Sequence, residues 1–137
     1  MKKINLQKCC FLDRDGVINK NYGHIKEEEK LKILHGVPRA INYLNSKNYL
    51  IIIITNQSVV GRGIITMKKL NNIHKYLIKI LRKKDAKIND IFVCPYHPKF
   101  GVGKFKKKSK DRKPNNGMLE KAIKKWNIDR NQSFMIG

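Results

Sequence analysis

The stretch YLIIIIT, residues 49 to 55, decides the fold class of this sequence. It is a continuous run rich in β-branched side chains, with no alternation between apolar and polar positions. A strand of this kind is typical of a parallel sheet covered by helices on both faces, because neither face then meets water. We therefore predict a buried, central strand at residues 49 to 55.

Further strands and helices are predicted on both sides of this run. The predicted strands are QKCCFLD (7 to 13), INDIFVC (88 to 94) and SFMIG (133 to 137), and the predicted helices are GVPRAINYLNSKN (36 to 48), TMKKLNNIHKYLIKILRKKD (66 to 85) and GMLEKAIKKWN (117 to 127). Strands that alternate with helices predict an α/β fold, a Rossmann-like parallel sheet wrapped by helices, in one domain spanning residues 1–137.

The predicted helix at residues 66 to 85 is amphipathic. Its apolar side chains recur at helical spacing and form one stripe: Leu70, Ile73, Leu77, Ile80 and Leu81. Thr66 is the predicted N-cap, since a hydroxyl can accept from an unpaired N–H of the first turn.

The composition argues against several classes of protein. Apolar residues make up 41% of the chain, which is too many for a disordered or fibrous protein. The longest purely apolar stretch, residues 50–54, is too short to cross a bilayer. The N-terminus has a basic start but no sustained apolar segment, so we expect no signal peptide and a cytoplasmic location. Three cysteines, two of them adjacent, give no disulfide framework.

The formal net charge of +21 is the strongest compositional signal. Such a charge attracts polyanions, and nucleic acid first among them. The basic residues are mostly Lys, accompanied by abundant Ile and Asn, as an AT-rich genome would place them at neutral surface positions. Surfaces that bind phosphates more often use Arg. We favour the compositional explanation, and a nucleic-acid partner stays an open alternative.

An acidic pair follows the first predicted strand. Asp13 and Asp15 flank Arg14 in FLDRDGVIN, residues 11 to 19. A hard cation such as Mg²⁺ would relieve the repulsion between two carboxylates this close, and one could then act as a nucleophile while the other transfers protons. Gly16 would let the backbone turn sharply. An acidic turn or cap without catalytic function is the alternative.

Two other segments could bind a phosphoryl group. Thr55 and Asn56 end the central strand and offer a hydroxyl and an amide, although polar strand ends are common. Lys113, in a loop before the last predicted helix, could neutralise phosphate charge, although it is one of many lysines. Asp13, Thr55 and Cys94 all fall at the carboxyl ends of predicted strands, where parallel α/β sheets bind their ligands.

Four segments together resemble a known superfamily. FLDRDGVIN, TNQSVVGRG, CPYHP and RKPNNGML, in this order, resemble the haloacid-dehalogenase (HAD) superfamily of phosphatases. More narrowly, they are similar to the D-glycero-D-manno-heptose 1,7-bisphosphate 7-phosphatase group and its relative, histidinol-phosphate phosphatase. The likeness runs from about residue 8 to residue 137. It implies Mg²⁺-dependent hydrolysis of a sugar phosphate through an aspartyl-phosphate intermediate.

The resemblance also implies roles for individual residues. Asp13 would attack phosphorus, and Asp15 would protonate the leaving group and later activate water. The side chain of Asp13 and the backbone carbonyl of Asp15 would bind Mg²⁺. Thr55 and Lys113 would stabilise the transferring phosphoryl group. The residues expected to contact the substrate are Arg14, Asn21, Tyr22, Gly23, His24, Asn56, Gln57, Ser58 and Arg112.

The sequence departs from the family pattern after the third predicted strand. Many members hold a structural zinc there with Cys-x-His followed by Cys-x-Cys. This chain keeps Cys94 but has Tyr96 at the His position and His97 one residue later, and Ser109 and Asp111 replace the later cysteines. A tetrahedral zinc site needs four suitable ligands, so we expect no zinc. The length of the loop favours the heptose enzymes over histidinol-phosphate phosphatases.

A second departure concerns an acidic motif, Gly-Asp-x-x-x-Asp, which follows Met-Ile-Gly in the family and supplies a metal ligand. The sequence reaches Gly137 without it. We therefore expect a truncated domain, either a fragment or a truncated gene product, whose own activity would be low.

Other functions stay open at this point. A polynucleotide 3′-phosphatase shares Asp-x-Asp-Gly, a similar Thr-Asn-Gln piece and an Arg-Lys-Pro loop, and would use the positive charge. Arg14 and the CPYHP loop favour the sugar-phosphate group. The non-enzymatic alternative is an inactive remnant or a basic interaction module. We expect a small sugar phosphate as the substrate, no membrane partner and a monomer.

Overall fold

The computed structural model describes residues 5–137 as a four-stranded parallel sheet with helices on both faces. In chain order its elements are β1 (Cys9–Leu12), α1 (Val37–Ser46), β2 (Leu50–Asn56), α2 (Ser58–Gly61), α3 (Met67–Arg82), β3 (Asp90–Cys94), α4 (Gly117–Trp126) and β4 (Phe134–Ile136). Short 3-10 turns cover Glu28–Lys30, Gly103–Phe105 and Arg130–Gln132. The predicted α/β fold is confirmed. The first four residues, which the domain and signal-peptide predictions included, lie outside the described range.

The strand order is β3–β2–β1–β4. The chain moves outward from β1 to β3 and then crosses to the opposite side of β1, which creates a topological switch point beside β1. Ligands of parallel α/β sheets bind at such a point, beyond the carboxyl ends of the strands. Asp13 follows β1 directly, and its backbone N–H donates to the carbonyl oxygen of Ile136 at 3.1 Å. The fold thus places Asp13 where a ligand is expected.

The buried strand predicted from YLIIIIT is β2. The four isoleucines at positions 51 to 54 are each 0% exposed. Ile51 and Ile53 belong to the core beneath α1 and α3, whereas Ile52 and Ile54 belong to the core beneath α4. Because side chains alternate along a strand, one apolar run supplies both cores.

The longest helix, α3, buries most of the predicted stripe. Four of its apolar side chains are fully buried: Leu70, Ile73, Leu77 and Leu81. Ile80 is only half-buried. Thr66 caps the helix as predicted, since its Oγ1 accepts from the backbone N–H of Lys69 at 3.1 Å. His74 lies on the same buried face and is 6% exposed. The predicted stripe did not include it.

The edge strand β4 is less covered than the interior strands. Its three residues are all exposed on the surface: Phe134, Met135 and Ile136. Met135 lies opposite Phe11 of β1 in a parallel register.

Two further observations bear on the compositional predictions. Within residues 5–137, no helix combines the length and the apolar character needed to cross a membrane. Cys9, Cys10 and Cys94 are all buried free thiols.

Candidate active site

An ion pair joins two loops at the carboxyl edge of the sheet. Asp13 follows β1 and Lys113 lies in the loop before α4, and Lys113 Nζ is 2.9 Å from Asp13 Oδ2. The side chains are 29% and 20% exposed, so a molecule in solution can reach both. The other carboxylate oxygen, Oδ1, accepts from the backbone N–H of Arg14 at 2.7 Å. This arrangement sets an ammonium beside a carboxylate that could act as a nucleophile.

Asn56, at the end of β2, fixes the backbone of Lys113. Its Oδ1 accepts from the Lys113 N–H at 3.0 Å, and its Nδ2 donates to the Lys113 carbonyl oxygen at 3.3 Å. The end of the central strand therefore fixes the backbone from which the Lys113 side chain reaches Asp13. We expected Asn56 to contact a substrate, but the structure uses its amide to hold the loop.

The carboxylate of Asp15 accepts hydrogen bonds on both oxygens. Oδ1 accepts from Arg14 Nε at 3.0 Å, from Arg14 Nη2 at 2.8 Å and from Asn19 Nδ2 at 3.0 Å. Oδ2 accepts from Gln57 Nε2 at 3.1 Å. The same Gln57 nitrogen donates to Thr55 Oγ1 at 2.9 Å. Asp15 is thus held from the β1 loop and from the end of β2 together.

These donors control the ionisation of Asp15. Burial raises the pKa of its carboxyl, but the charge of Arg14 and the hydrogen bonds from Asn19, Arg14 and Gln57 outweigh burial and hold the pKa below its usual value. Asp15 is consequently ionised at neutral pH. An ionised carboxylate is ready to accept a proton from water, and it must gain a proton before it can donate one.

Arg14 is 0% exposed and lies between two partners. Its guanidinium pairs with Asp15 on one side, and its Nη1 is 3.0 Å from His74 Nε2 on the other. We expected Arg14 to contact the substrate. This expectation requires correction, because a side chain without exposed surface cannot meet a molecule from solution. The geometry instead gives Arg14 a role in orienting Asp15.

Thr55 and Gln57 are also buried, at 1% and 4% exposure. The Gln57 amide bridges Asp15 and Thr55, so Gln57 too is engaged within the protein rather than free for a substrate. Thr55 Oγ1 lies 3.5 Å from the carbonyl oxygen of Asn56. That contact is long for an O–H donor, so the Thr55 hydroxyl hydrogen can still turn to another acceptor.

Four of the expected substrate contacts lie in the exposed segment after the β1 loop: Asn21, Tyr22, Gly23 and His24. The Tyr22 hydroxyl donates to the Lys30 carbonyl oxygen. Tyr22 and His24 line a surface depression of about 490 Å³. Gly16 has a φ of +82°, which favours glycine, and a Cβ there would lie 3.7 Å from the Asn21 Cβ. Asn21 therefore packs close to the acidic loop.

Ser58 and Arg112 lie in different segments of the chain, after β2 and before α4. Ser58 begins α2, and its Oγ accepts from Arg62 Nε at 3.2 Å. Arg112 is half-buried, and its Nη1 donates to the Tyr96 carbonyl oxygen at 3.3 Å. With Lys113, Arg112 lines a small cavity of about 180 Å³. A group bound at Lys113 could extend into this cavity.

Two residues of the network have no role in the predictions made from the sequence. Asn19 is 0% exposed and donates to Asp15, yet it is the last residue of the quoted FLDRDGVIN segment and received no role. His74 contacts Arg14 from α3. Its position, four residues after Leu70 and three before Leu77, was the available signal, since that spacing puts it on the buried stripe.

The acidic loop offers oxygen ligands for a hard cation. The Asp13 carboxylate is partly exposed, and among residues 5–137 no backbone N–H donates to the carbonyl oxygen of Asp15. The described part of the chain contains no cluster of three or more His, Cys, Asp or Glu able to hold a metal. Mg²⁺ commonly takes one or two protein oxygens and completes its shell with water and phosphate. The two oxygens fit such a site.

In the loop after β3, the residues at or beside the positions that hold zinc in many family members form hydrogen bonds instead. His97 Nδ1 accepts from the backbone N–H groups of Lys99 and Phe100 at 3.0 and 2.9 Å. Ser109 Oγ accepts from the Asp111 N–H at 3.1 Å, and Asp111 pairs with Lys121 at 2.5 Å. The loop thus has internal contacts at each of these positions.

Comparison with known sequences identifies relatives of this chain. It matches the family described as "Polynucleotide kinase 3 phosphatase" over residues 8–137. It is 37% identical over 127 residues to D-glycero-beta-D-manno-heptose-1,7-bisphosphate 7-phosphatase of Rhodopseudomonas palustris, covering 93% of this chain and 71% of that protein. It is 36% identical over 132 residues to the enzyme of that name from Haemophilus influenzae, covering 96% of this chain and 71% of the relative.

Solved structures share the fold. A HAD-like phosphatase from Mesorhizobium loti has a TM-score of 0.91 at 28% identity, covering 96% of this chain and 63% of the other. D,D-heptose 1,7-bisphosphate phosphatase from B. bronchiseptica, complexed with magnesium and phosphate, has a TM-score of 0.78 at 30% identity, covering 90% and 65%. This chain therefore spans slightly less than two thirds of these two structures.

Proposed function

Because this chain belongs to the polynucleotide kinase 3 phosphatase family, within the HAD superfamily of phosphatases, we propose that it hydrolyses a phosphomonoester through Asp13. The observation that carries the proposal is the Asp13–Lys113 pair, 2.9 Å apart, at the switch point of the sheet. The substrate we propose is D-glycero-D-manno-heptose 1,7-bisphosphate, with the 7-phosphate removed. The names of the relatives at 36–37% identity support this substrate class.

The first step forms an aspartyl-phosphate. Asp13 attacks phosphorus with a carboxylate oxygen, and the bond from phosphorus to the sugar oxygen breaks. The Lys113 ammonium and the Thr55 hydroxyl stabilise the negative charge on the transferring phosphoryl group. Because Lys113 already lies beside Asp13, little reorganisation is required when the phosphoryl group arrives.

Asp15 transfers protons in both steps. It donates one to the departing sugar oxygen, and it then takes one from the water that attacks the aspartyl-phosphate, releasing phosphate and restoring Asp13. The network around Asp15 favours its ionised form, which suits the second step. A bound phosphate dianion raises the pKa of a neighbouring carboxyl, so substrate binding assists the protonation that the first step needs.

Mg²⁺, held by the Asp13 side chain and the Asp15 carbonyl oxygen, would neutralise charge on the phosphoryl oxygens. The residues we propose as substrate contacts are Asn21, Tyr22, Gly23 and His24, which are exposed, and Ser58 and Arg112, which are half-buried. Asn56 is also half-buried, but its amide holds the backbone of Lys113. No zinc is proposed. We further propose a cytoplasmic monomer.

A polynucleotide 3′-phosphatase is the second candidate function. Two observations favour it: the description of the matching family and the net charge of +21. Histidinol phosphate, a small phosphomonoester that is not a sugar phosphate, is a further candidate, as expected from the resemblance of the sequence motifs.

Phosphate release from three substrates decides between these candidates. The wild-type chain would be assayed with millimolar Mg²⁺ on heptose 1,7-bisphosphate, histidinol phosphate and a 3′-phosphorylated DNA oligonucleotide, with Asp13→Asn as the blank. We expect the highest kcat/KM on the bisphosphate. A higher value on the oligonucleotide, with binding that weakens steeply as salt rises, would favour the second candidate. No release above the blank from any substrate would contradict phosphatase activity.

A further inference from the structure

His74 is a buried polar residue that the proposed mechanism does not use. It lies on α3, and 6% of it is exposed. The helix positions beside it on the buried face carry Ile73 and Leu77, both fully buried. A polar ring in such surroundings needs a hydrogen-bond partner, and its partner is Arg14 Nη1, 3.0 Å from Nε2.

The direction of this hydrogen bond follows from the chemistry of the two groups. A guanidinium has only donors, so His74 Nε2 must accept and the ring must carry its proton on Nδ1. Burial, and then the positive charge of Arg14, lower the pKa of His74 to about 4, while the charge of Asp15 acts in the opposite direction. The ring is therefore neutral at pH 7 and able to accept.

The guanidinium of Arg14 is fixed from two sides. Nε and Nη2 donate to Asp15 Oδ1 at 3.0 and 2.8 Å, and Nη1 donates to His74. Without an acceptor at Nη1, the completely buried guanidinium would keep an unpaired N–H, which is costly in an apolar surrounding. The guanidinium would then shift toward another acceptor or water, and the Asp15 carboxylate would shift with it.

We propose that His74 is a positioning residue that holds the proton-transfer carboxylate of Asp15 in place through Arg14. This inference rests on the proposed function, in which Asp15 transfers protons. His74 itself touches neither substrate nor reacting atoms. The competing interpretation is a core histidine whose only effect is on stability.

Three variants of the full chain separate these interpretations. His74→Gln keeps an acceptor at about the distance of Nε2, His74→Leu removes it, and Ile73→Val, the neighbouring position, loosens the same core without touching the network. Turnover of p-nitrophenyl phosphate with Mg²⁺ would be measured for each, with folding checked by circular dichroism. A ¹⁵N spectrum of the histidine rings at pH 7 would report which nitrogen of His74 carries the proton.

We expect His74→Leu to lower kcat about tenfold with KM changed less than about twofold, the scale of one lost buried hydrogen bond. His74→Gln should stay within about threefold of wild type, and Ile73→Val should keep the wild-type kcat despite a loss of stability. The ¹⁵N spectrum should show Nε2 without a proton.

Several results would overturn the inference. These are a folded His74→Leu variant as fast as wild type, a His74→Gln variant as slow as His74→Leu, or a protonated Nε2 at pH 7. With an active wild type, each of them overturns this inference alone. A wild type without turnover on any phosphomonoester overturns the proposed function, and the inference with it.

Discussion

The two loops that meet at the site are held by different kinds of interaction. In the acidic loop, residues 13–19, charged hydrogen bonds fix buried side chains, with Arg14 and Asn19 both 0% exposed. In the basic loop, residues 95–116, cationic side chains lie over the faces of aromatic rings. Lys107 Nζ lies 4.2 Å from the Tyr96 ring centre, and the Arg62 guanidinium lies 4.4 Å from that of Phe100.

The difference indicates where a single substitution has a large effect. Removing one partner from a buried, charged network leaves the others unpaired, which costs several kcal/mol. An exposed cation over a ring contributes only about 0.5–1 kcal/mol, so such contacts tolerate change. Lys113 belongs to the basic loop by sequence, but Asn56 of β2 fixes its backbone. The proposed chemistry therefore depends on the strand ends more than on the basic loop.

The largest expected effect is the loss of turnover when the Asp13 carboxylate of the acidic loop is removed. Asp13→Asn is nearly isosteric but replaces a nucleophile with an unreactive amide, and we expect kcat to fall by at least about 10³–10⁴-fold with the fold intact. Asp111→Asn is the matched control in the basic loop and should stay within about threefold of wild type. Phosphate release measures both. An Asp13→Asn variant with wild-type turnover would disprove the aspartyl-phosphate mechanism.

The next largest effect is on stability. Arg14→Leu leaves the Asp15 carboxylate and the His74 ring without their common donor, so we expect a loss of about 3–5 kcal/mol in the free energy of unfolding. Arg112→Leu is the matched change in the basic loop, where one bond to the Tyr96 carbonyl is lost, and it should cost about 1 kcal/mol or less. Urea unfolding of both variants checks the contrast, and equal losses would refute it.

Acidification should lower the stability of the protein through His74, which contacts Arg14 of the acidic loop. Its pKa is lowered from 6.5 to about 4 in the folded protein, so between these values the unfolded chain binds a proton that the folded chain does not. Stability is therefore lost as the pH falls from about 6.5 to about 4. From pH 7 to pH 5 the loss is about 2 kcal/mol from this group. Urea unfolding at both pH values should show that His74→Gln loses less stability on acidification than the wild type does. His97→Gln, in the basic loop, is the control and should lose nearly as much stability as the wild type. Equal losses in wild type and His74→Gln would contradict this account.

The sequence predicts the framework of this site better than its side-chain partners. A buried strand is visible as a continuous apolar run and an amphipathic helix as a 3.6-residue period, so the predicted bounds of β2 and α3 are close to the observed ones. Asp13 could be placed because parallel strands end at the same edge of a sheet. The direction of a polar side chain instead depends on partners distant in sequence. Arg14 turns inward because His74 meets it there, and Asn56 turns to the Lys113 backbone. The helix α2, four residues long, is too short to show a period.

The smallest expected effect is that of a zinc chelator on the basic loop. His97 Nδ1 already accepts two backbone N–H groups, Asp111 pairs with Lys121, and Tyr96 carries no ligand atom suited to zinc. Aromatic and backbone contacts should hold the loop without a metal, so a zinc-selective chelator should move Tm by less than about 1 °C. Metal analysis of protein purified without chelators should find no stoichiometric zinc. A chelator that also removes Mg²⁺ should abolish turnover, because the proposed chemistry needs Mg²⁺ at the acidic loop and no metal at the basic loop. One zinc per chain, with a Tm that falls when it is removed, would instead point to Cys94, His97 and Asp111 as ligands, and the basic loop would then be held by a metal.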